Sequence, residues 1–303
     1  MISTLPSYVT TEKLRQIIQP ALNEDIGSGD VTSLATLNKT AKATAKLIAK
    51  QDGILAGCAV FKFVFDELDD DVTIDWIQTD GANVKQGDNL ATIVGKARTL
   101  MAGERLALNI IQRMSGIATM TAAMVEAVKP YRAQILDTRK TAPGIRLLDK
   151  WAVHIGGGKN HRMGLFDMIL IKENHVAAAG GIQNALRAAQ EYCQNQSRSL
   201  KIEIETRSLH EVQQVVDAGI ADIVMLDNFA RLDADGKLDV GPLLEAVNLI
   251  NDGFKTEASG NVTPTTVREI ASTNVDYISS GALTHSVAAL DVSLLVDVSP
   301  RIY

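Results

Sequence analysis

The stretch "KIEIETRSLHEVQQVVDAGIADIVMLD", residues 201–227, decides the fold. Each end is a short run built on Ile and Val, as strands are in a parallel sheet buried on both faces. Between the runs, Ser208 with Glu211 three residues on forms a capping box that opens a helix, and Gly219 closes it. Strand, helix and strand therefore follow one another within a single unit. Such crossovers are right-handed, and repeated they give a barrel or an open doubly wound sheet.

Working outward, the pattern recurs. "QILD" (134–137), "MILIK" (168–172), "FKTEASG" (254–260) and "VDYISSG" (275–281) read as further strands. "TPTTVREIA" reads as a helix with Thr263 as N-cap and Pro264 in its first turn. A full eight-stranded barrel takes roughly 250 residues, about 30 per unit. Residues 119–285 have room for about six units on that scale, so the expectation is an incomplete parallel α/β barrel of six to seven strands.

Before residue 119 the chain reads differently. "VTTEKLRQIIQPALNED" is an amphipathic helix, and residues 43–57 and 72–95 alternate apolar and polar side chains between Gly-containing turns, as half-buried antiparallel strands do. Residues 96–128 read as a long helix interrupted near "MSGIAT". "GANVKQGDNLATIVG" is similar to the turn of a lipoyl or biotinyl carrier, but no lysine sits at a hairpin tip. The expected division is an N-terminal domain over 1–118 and a barrel over 119–285, with 286–303, read as a final helix, free to pack back on the first.

The chain holds 303 residues, with 36 acidic and 30 basic side chains, a formal net charge of −6. That balance argues against a general nucleic-acid binder. No apolar stretch is long enough to span a membrane, and the start has no secretory pattern. Cys58 and Cys193 fit no metal spacing and read as reduced thiols in a cytoplasmic protein.

Function concentrates at the strand ends, which converge on one mouth in such folds. They fall at Asp137, Lys172, Glu205, Asp227, Ser259 and Ser280, all polar. The final two strands end in Ser-Gly turns; Gly260 and Gly281 let a phosphate approach backbone N–H groups, with His285 as a further donor. Glu205 and Asp227 on neighbouring strands suit magnesium and sugar hydroxyls, and Glu203 lies one layer deeper on the same face. Residues 138–162 are strongly basic in an acidic protein. Arg139, Lys140, His161 and Arg162 can reach the mouth, where guanidinium forks match carboxylates. Lys150 and His154 read as ordinary residues of a helix. "GGGKNHR" lacks P-loop spacing, and Asp69, Asp70 and Asp71 read as a solvated turn.

The blocks "NEDIGSGDVTS", "GERLALNIIQRMSGIAT", "LDTRKTAPGIRLLDKWAVHIGGGKNHRMGLFDMILIKENH", "IEIET", "VMLDNF", "EASGNVT" and "SSGALTHS" together resemble the quinolinate phosphoribosyltransferase family, in its order, over residues 23–286. The resemblance implies an N-terminal α/β sandwich and a transfer from 5-phosphoribosyl 1-pyrophosphate to quinolinate with loss of CO2 and with magnesium, in NAD biosynthesis. It implies that Arg139, His161, Arg162 and Lys172 bind the quinolinate carboxylates, with Arg105 supplied by a second subunit. Lys140 would lie near the pyrophosphate, Glu205 and Asp227 at ribose and magnesium, and Ser259, Gly260 and Gly281 at the 5-phosphate. Lys140, Lys172, Glu205 and Asp227 would carry the catalytic roles. A homo-oligomer, either a dimer or a trimer of dimers, is implied. A phosphoribosyltransferase for another acid, the molybdenum-associated paralogue of the same fold, and a non-catalytic metabolite sensor are the competing readings.

Overall fold

The structure, a computed structural model, describes residues 5–233 and 235–298. Helices α1 (Thr11–Ile26) and α2 (Val31–Thr36) precede strands β1 (Lys42–Ala49) and β2 (Gly53–Ile54). Helix α3 (Cys58–Asp66), strands β3 (Thr73–Trp76), β4 (Asn83–Val84) and β5 (Asn89–Lys96), and the long α4 (Ala97–Val128) follow. Next come β6 (Gln134–Leu136), α5 (Arg146–Ile155), β7 (Ile169–Ile171), α6 (Glu173–Ala179) and α7 (Ile182–Asn195). Strand β8 (Ile202–Thr206), α8 (Leu209–Ala218), β9 (Ile223–Asp227), the small hairpin β10 (Arg231–Leu232) and β11 (Leu238–Asp239), and α9 (Gly241–Ile250) come after them. The chain closes with β12 (Lys255–Ser259), α10 (Val267–Ala271), β13 (Tyr277–Ser279), α11 (Ala282–His285) and β14 (Val292–Val298).

Two compact units emerge. One holds the described residues up to Ala122, together with Ala142–Gly157 and those from Ser286; the other holds Ala123–Thr141 and Gly158–His285.

The second unit is built on a six-stranded sheet in the order β6-β13-β12-β9-β8-β7, with every neighbouring pair parallel. All six strands coincide with runs read from the sequence. Lys159 bridges Leu136 in parallel, a one-residue rung beyond β6. Among the described residues no pairing joins that rung to β7, so the sheet is not closed. Every position of β8 is buried, even though its sequence, IEIET, alternates Ile with Glu. Ser208 caps α8 by accepting the Glu211 N–H, and Gly219 ends it with φ +66°. The Glu211 carboxylate reaches the N–H of Arg207 at 2.7 Å, one residue short of the reciprocal bond of a full capping box.

The first unit carries an antiparallel sheet in the order β14-β1-β5-β3. Strand β1 alternates exposed and buried residues, so one face meets the core and the other meets water.

Three details differ from the sequence reading. Helix α4 runs unbroken through "MSGIAT". Its small and hydroxyl residues serve neighbours instead: Ser115 Oγ accepts the Ala56 N–H at 2.9 Å, Thr119 Oγ1 accepts the Ile54 N–H at 2.8 Å, and a Cβ at Gly116 would run into the Ala288 carbonyl. Helix α10 starts at Val267, because Thr263 and Thr266 close a hydroxyl-bonded turn ahead of it. The closing stretch is a strand, not a helix: β14 pairs with the edge of β1 from Ala43↔Val298 to Ala49↔Val292. Residues 299–303 of that stretch lie outside the described residues. Asp30, in "DIGSGD", caps α2 by accepting the N–H groups of Thr32 and Ser33.

Candidate active site

A cavity of about 730 Å³ opens at the C-terminal ends of the parallel strands. Arg139 and Lys140 enter it after β6, His161 and Arg162 ahead of β7, and Lys172 at the end of β7. Glu205, Asp227, Ser259, Gly260, Gly281 and His285 complete the residues anticipated from sequence. Arg105 is not among the lining residues; it is exposed on α4, in the other unit. Asp137 does not line the cavity either. It is fully buried and accepts Asn160 Nδ2 at 2.6 Å and the His161 N–H at 2.9 Å, which turns the loop carrying His161 and Arg162 inward.

One wall of the mouth is cationic. Arg162 is half-buried, and burial together with the nearby Arg139 guanidinium lowers its pKa from the usual arginine value. Two guanidiniums held close enough to repel one another form a site for an anion with more than one charge.

A second group of lining residues is acidic and tightly held. Lys172 Nζ donates to Glu205 Oε2 at 2.8 Å. Asp227 accepts Ser259 Oγ at 2.7 Å and Asn228 Nδ2 at 2.9 Å. Arg207 spans both acids, with Nη2 3.0 Å from Glu205 Oε1 and Nε 3.7 Å from Asp227 Oδ2. A single cationic group thus already reaches both carboxylates, which fits this oxygen donor set to a hard divalent cation.

The two Ser-Gly turns line the same cavity, the first directly beside Asp227. Gly260 has φ +88°, and a Cβ there would overlap the Asn228 amide. Glycine is needed at that point for both conformation and room. A Cβ on Gly281 would sit 2.7 Å from Lys140 Cδ, so that glycine makes space for the lysine stem.

Beneath the mouth, His161 Nε2 lies 3.0 Å from Glu203 and 3.4 Å from Glu257, both fully buried. Burial pushes the imidazole pKa down, but the two carboxylates outweigh it and raise it to about 10. Burial and Glu257 raise Glu203 to about 7, against the pull of His161. His161 Nδ1 accepts the Arg162 N–H at 2.7 Å, so the ring proton sits on Nε2, facing the acids. That leaves Nε2 a donor to carboxylate and not a metal ligand. With Nδ1 as acceptor the ring is neutral, and the further proton of the cluster sits on one of the two acids, which leaves the cluster with one net negative charge.

Sequence reading missed Glu257, Arg207 and Asn228. Glu257 had a signal, an acid in the middle of a buried parallel strand, where charge persists only if partnered. Arg207 was hidden as the residue just ahead of a helix cap.

Comparisons with known proteins agree over nearly the whole chain. The family described as "Quinolinate phosphoribosyl transferase, N-terminal domain" matches residues 30–115, and its "C-terminal domain" counterpart matches 117–295. "Quinolinate phosphoribosyltransferase [decarboxylating] 1" of Nicotiana glauca is 50% identical over 298 residues, covering 96% of this chain and 85% of that protein. "Nicotinate-nucleotide pyrophosphorylase [carboxylating], chloroplastic" of Oryza sativa subsp. japonica is 48% identical, covering 98% and 81%. The crystal structure of NadC from Streptococcus pyogenes superposes with a TM-score of 0.88 at 38% identity, covering 97% of this chain and all of that one.

Proposed function

This chain belongs to the quinolinate phosphoribosyltransferase family, and on that premise we propose that its barrel mouth performs the decarboxylating pentosyl transfer of de novo NAD biosynthesis. Quinolinate and 5-phosphoribosyl 1-pyrophosphate give nicotinate mononucleotide, pyrophosphate and CO2. The observation that carries this is a single cavity that gathers the cations Arg139, Lys140 and Arg162 with the acids Glu205 and Asp227, Lys172 being bonded to Glu205.

Arg139, Arg162 and Lys172 bind the two carboxylates of quinolinate over the floor made by His161. Gly260, Gly281, Ser259 and His285 take the 5-phosphate, and Lys140 lies toward the pyrophosphate. Glu205 and Asp227 hold ribose hydroxyls and, with them, the cation. Magnesium, when bound, neutralises the pyrophosphate and eases its departure. As the bond from ribose C1 to pyrophosphate breaks, C1 gains positive charge, which the nearby carboxylates stabilise while the pyridine nitrogen closes on it. The C2–carboxylate bond of the resulting pyridinium then breaks. Its electron pair stays on C2 beside the positive nitrogen, and a proton replaces CO2. Fixed charge and positioning are the protein's contribution.

Arg105 fits the scheme when a second copy of the chain supplies it, so the working form is a dimer or a trimer of dimers. Among the described residues no helix is long and apolar enough to cross a membrane. Two unpaired thiols, Cys58 and Cys193, support a reducing compartment, for which we propose the cytoplasm.

Production of nicotinate mononucleotide, followed with quinolinate and then with nicotinate, tests the substrate. A monoacid leaves cations of the wall unpaired, so turnover with quinolinate alone is expected. Equal turnover of both acids would contradict the reading.

A further inference from the structure

Arg207 stands in the mouth without a part in the scheme above. Its main chain is fixed, with the N–H bonded to Glu211 at 2.7 Å, while 46% of its side-chain surface is exposed. The guanidinium bridges Glu205 and Asp227, and its Nη1 also pairs with Glu173, the first residue of α6. Arg207 lines two cavities. Beside the mouth lies a smaller one of about 230 Å³, with Glu173, Glu205 and Glu211 on its wall next to Val176 and Ile182.

We propose that Arg207 is the internal counter-ion of the cation site. It occupies Glu205 and Asp227 in the ligand-free protein and turns toward Glu173 and the smaller cavity when a divalent cation arrives with a diphosphate. This rests on the reading of Glu205 and Asp227 as the residues that hold that cation. The charges give the reason. Two carboxylates reached by one guanidinium would repel each other without it, and a guanidinium and a divalent cation cannot share the same oxygens. Glu173 makes the exchange easy, because its carboxylate is 55% exposed and already bonded to the far end of the fork, so one ion pair persists as the other two break. The bond from the Arg207 N–H to Glu211 confines the change to side-chain torsions. Lys172 is not equivalent, since it bonds Glu205 alone of this pair.

The affinity of the free protein for a divalent cation is therefore set by competition with Arg207. Mn2+ titrated calorimetrically into the full chain, without substrates, reads this out. Arg207→Ala and the length-preserving Arg207→Gln are expected to bind Mn2+ about tenfold more tightly than the wild type. Glu173→Gln should weaken Mn2+ binding in the wild type and leave it unchanged in the Arg207→Ala background, because its effect runs through the arginine. If both Arg207 variants bind Mn2+ no more tightly while Glu205→Gln and Asp227→Asn lose it, the counter-ion proposal falls and the cation site stands. If Glu205→Gln and Asp227→Asn leave Mn2+ binding intact, the cation site itself is misassigned and the proposal goes with it. If Arg207→Gln instead loses affinity for inorganic pyrophosphate with Mn2+ binding unchanged, the arginine is an anion ligand and the proposal is overturned.

Discussion

The two ends of the parallel sheet use the same residue types to opposite purposes. At the N-terminal end the charges are mutually closed. Asp276, just ahead of β13, accepts the Thr256 N–H and hydroxyl at 3.0 Å each and Lys255 Nζ at 2.8 Å, with Arg132 3.5 Å away. Asp222 likewise accepts the Ile202 N–H at 2.7 Å, tying the loop before β9 to β8. At the C-terminal end, among the described residues, no ion pair joins Arg139 or Lys140, and Arg162 is pushed by burial and by Arg139. Paired charge at the base ties neighbouring strands together, whereas the cations left open at the mouth, beside acids that are paired, imply an anion to come. In such barrels the C-terminal face carries function and the N-terminal face carries stability.

Substitutions at the two ends should therefore fail in different assays. Arg162→Ala is expected to lower kcat/KM for quinolinate by roughly 100-fold or more, about 3 kcal/mol, with its thermal midpoint unchanged. A steady-state assay beside a melting curve checks both halves, and Arg139→Ala should behave alike. Asp276→Ala should do the reverse, lowering the unfolding free energy by about 2 kcal/mol in a denaturant titration as buried donors lose their acceptor, with kcat/KM nearly unchanged. A large activity loss there would break the separation. Gly260→Ala sharpens it, since strain at a mouth turn should cost about 1–2 kcal/mol of stability and also raise the KM for 5-phosphoribosyl 1-pyrophosphate. The smallest effect is a pH dependence at the base. Burial pushes the Asp276 pKa up, but Lys255, Thr256 and Arg132 outweigh it and hold it below the ordinary carboxylate value. A depressed folded pKa gives stability that is present above the unfolded value, about 3.9, and lost as pH falls through the folded one. Denaturant midpoints measured from pH 6 down to pH 2 should thus decline in the wild type with a component that Asp276→Asn lacks.

Much of this was legible in the sequence, for physical reasons. Strands buried on both faces advertise themselves as short Ile- and Val-rich runs, and a parallel barrel sends their ends to one place. Listing the residues after each run was therefore enough to find Lys172, Glu205, Asp227 and Ser259. The exceptions involve partners distant in sequence. Asp137 follows a strand like the others, yet bonds to Asn160 and the His161 N–H draw it into the interior. The apparent break at "MSGIAT" is a set of small residues fitted to Ala56, Ile54 and Ala288, none of them local. Strand β14 takes its form from the edge of β1, far away along the chain. Glu257 and Arg207 gain meaning only once His161 and Glu205 stand beside them.

The claim that the cations at the mouth form one pocket for a doubly ionised aromatic acid is tested most directly by a crystal structure with quinolinate bound. Each carboxylate should lie about 3 Å from a nitrogen of Arg139, Arg162 or Lys172, within the cavity at the strand ends. An acid bound elsewhere, with those three side chains directed into bulk solvent, would contradict it.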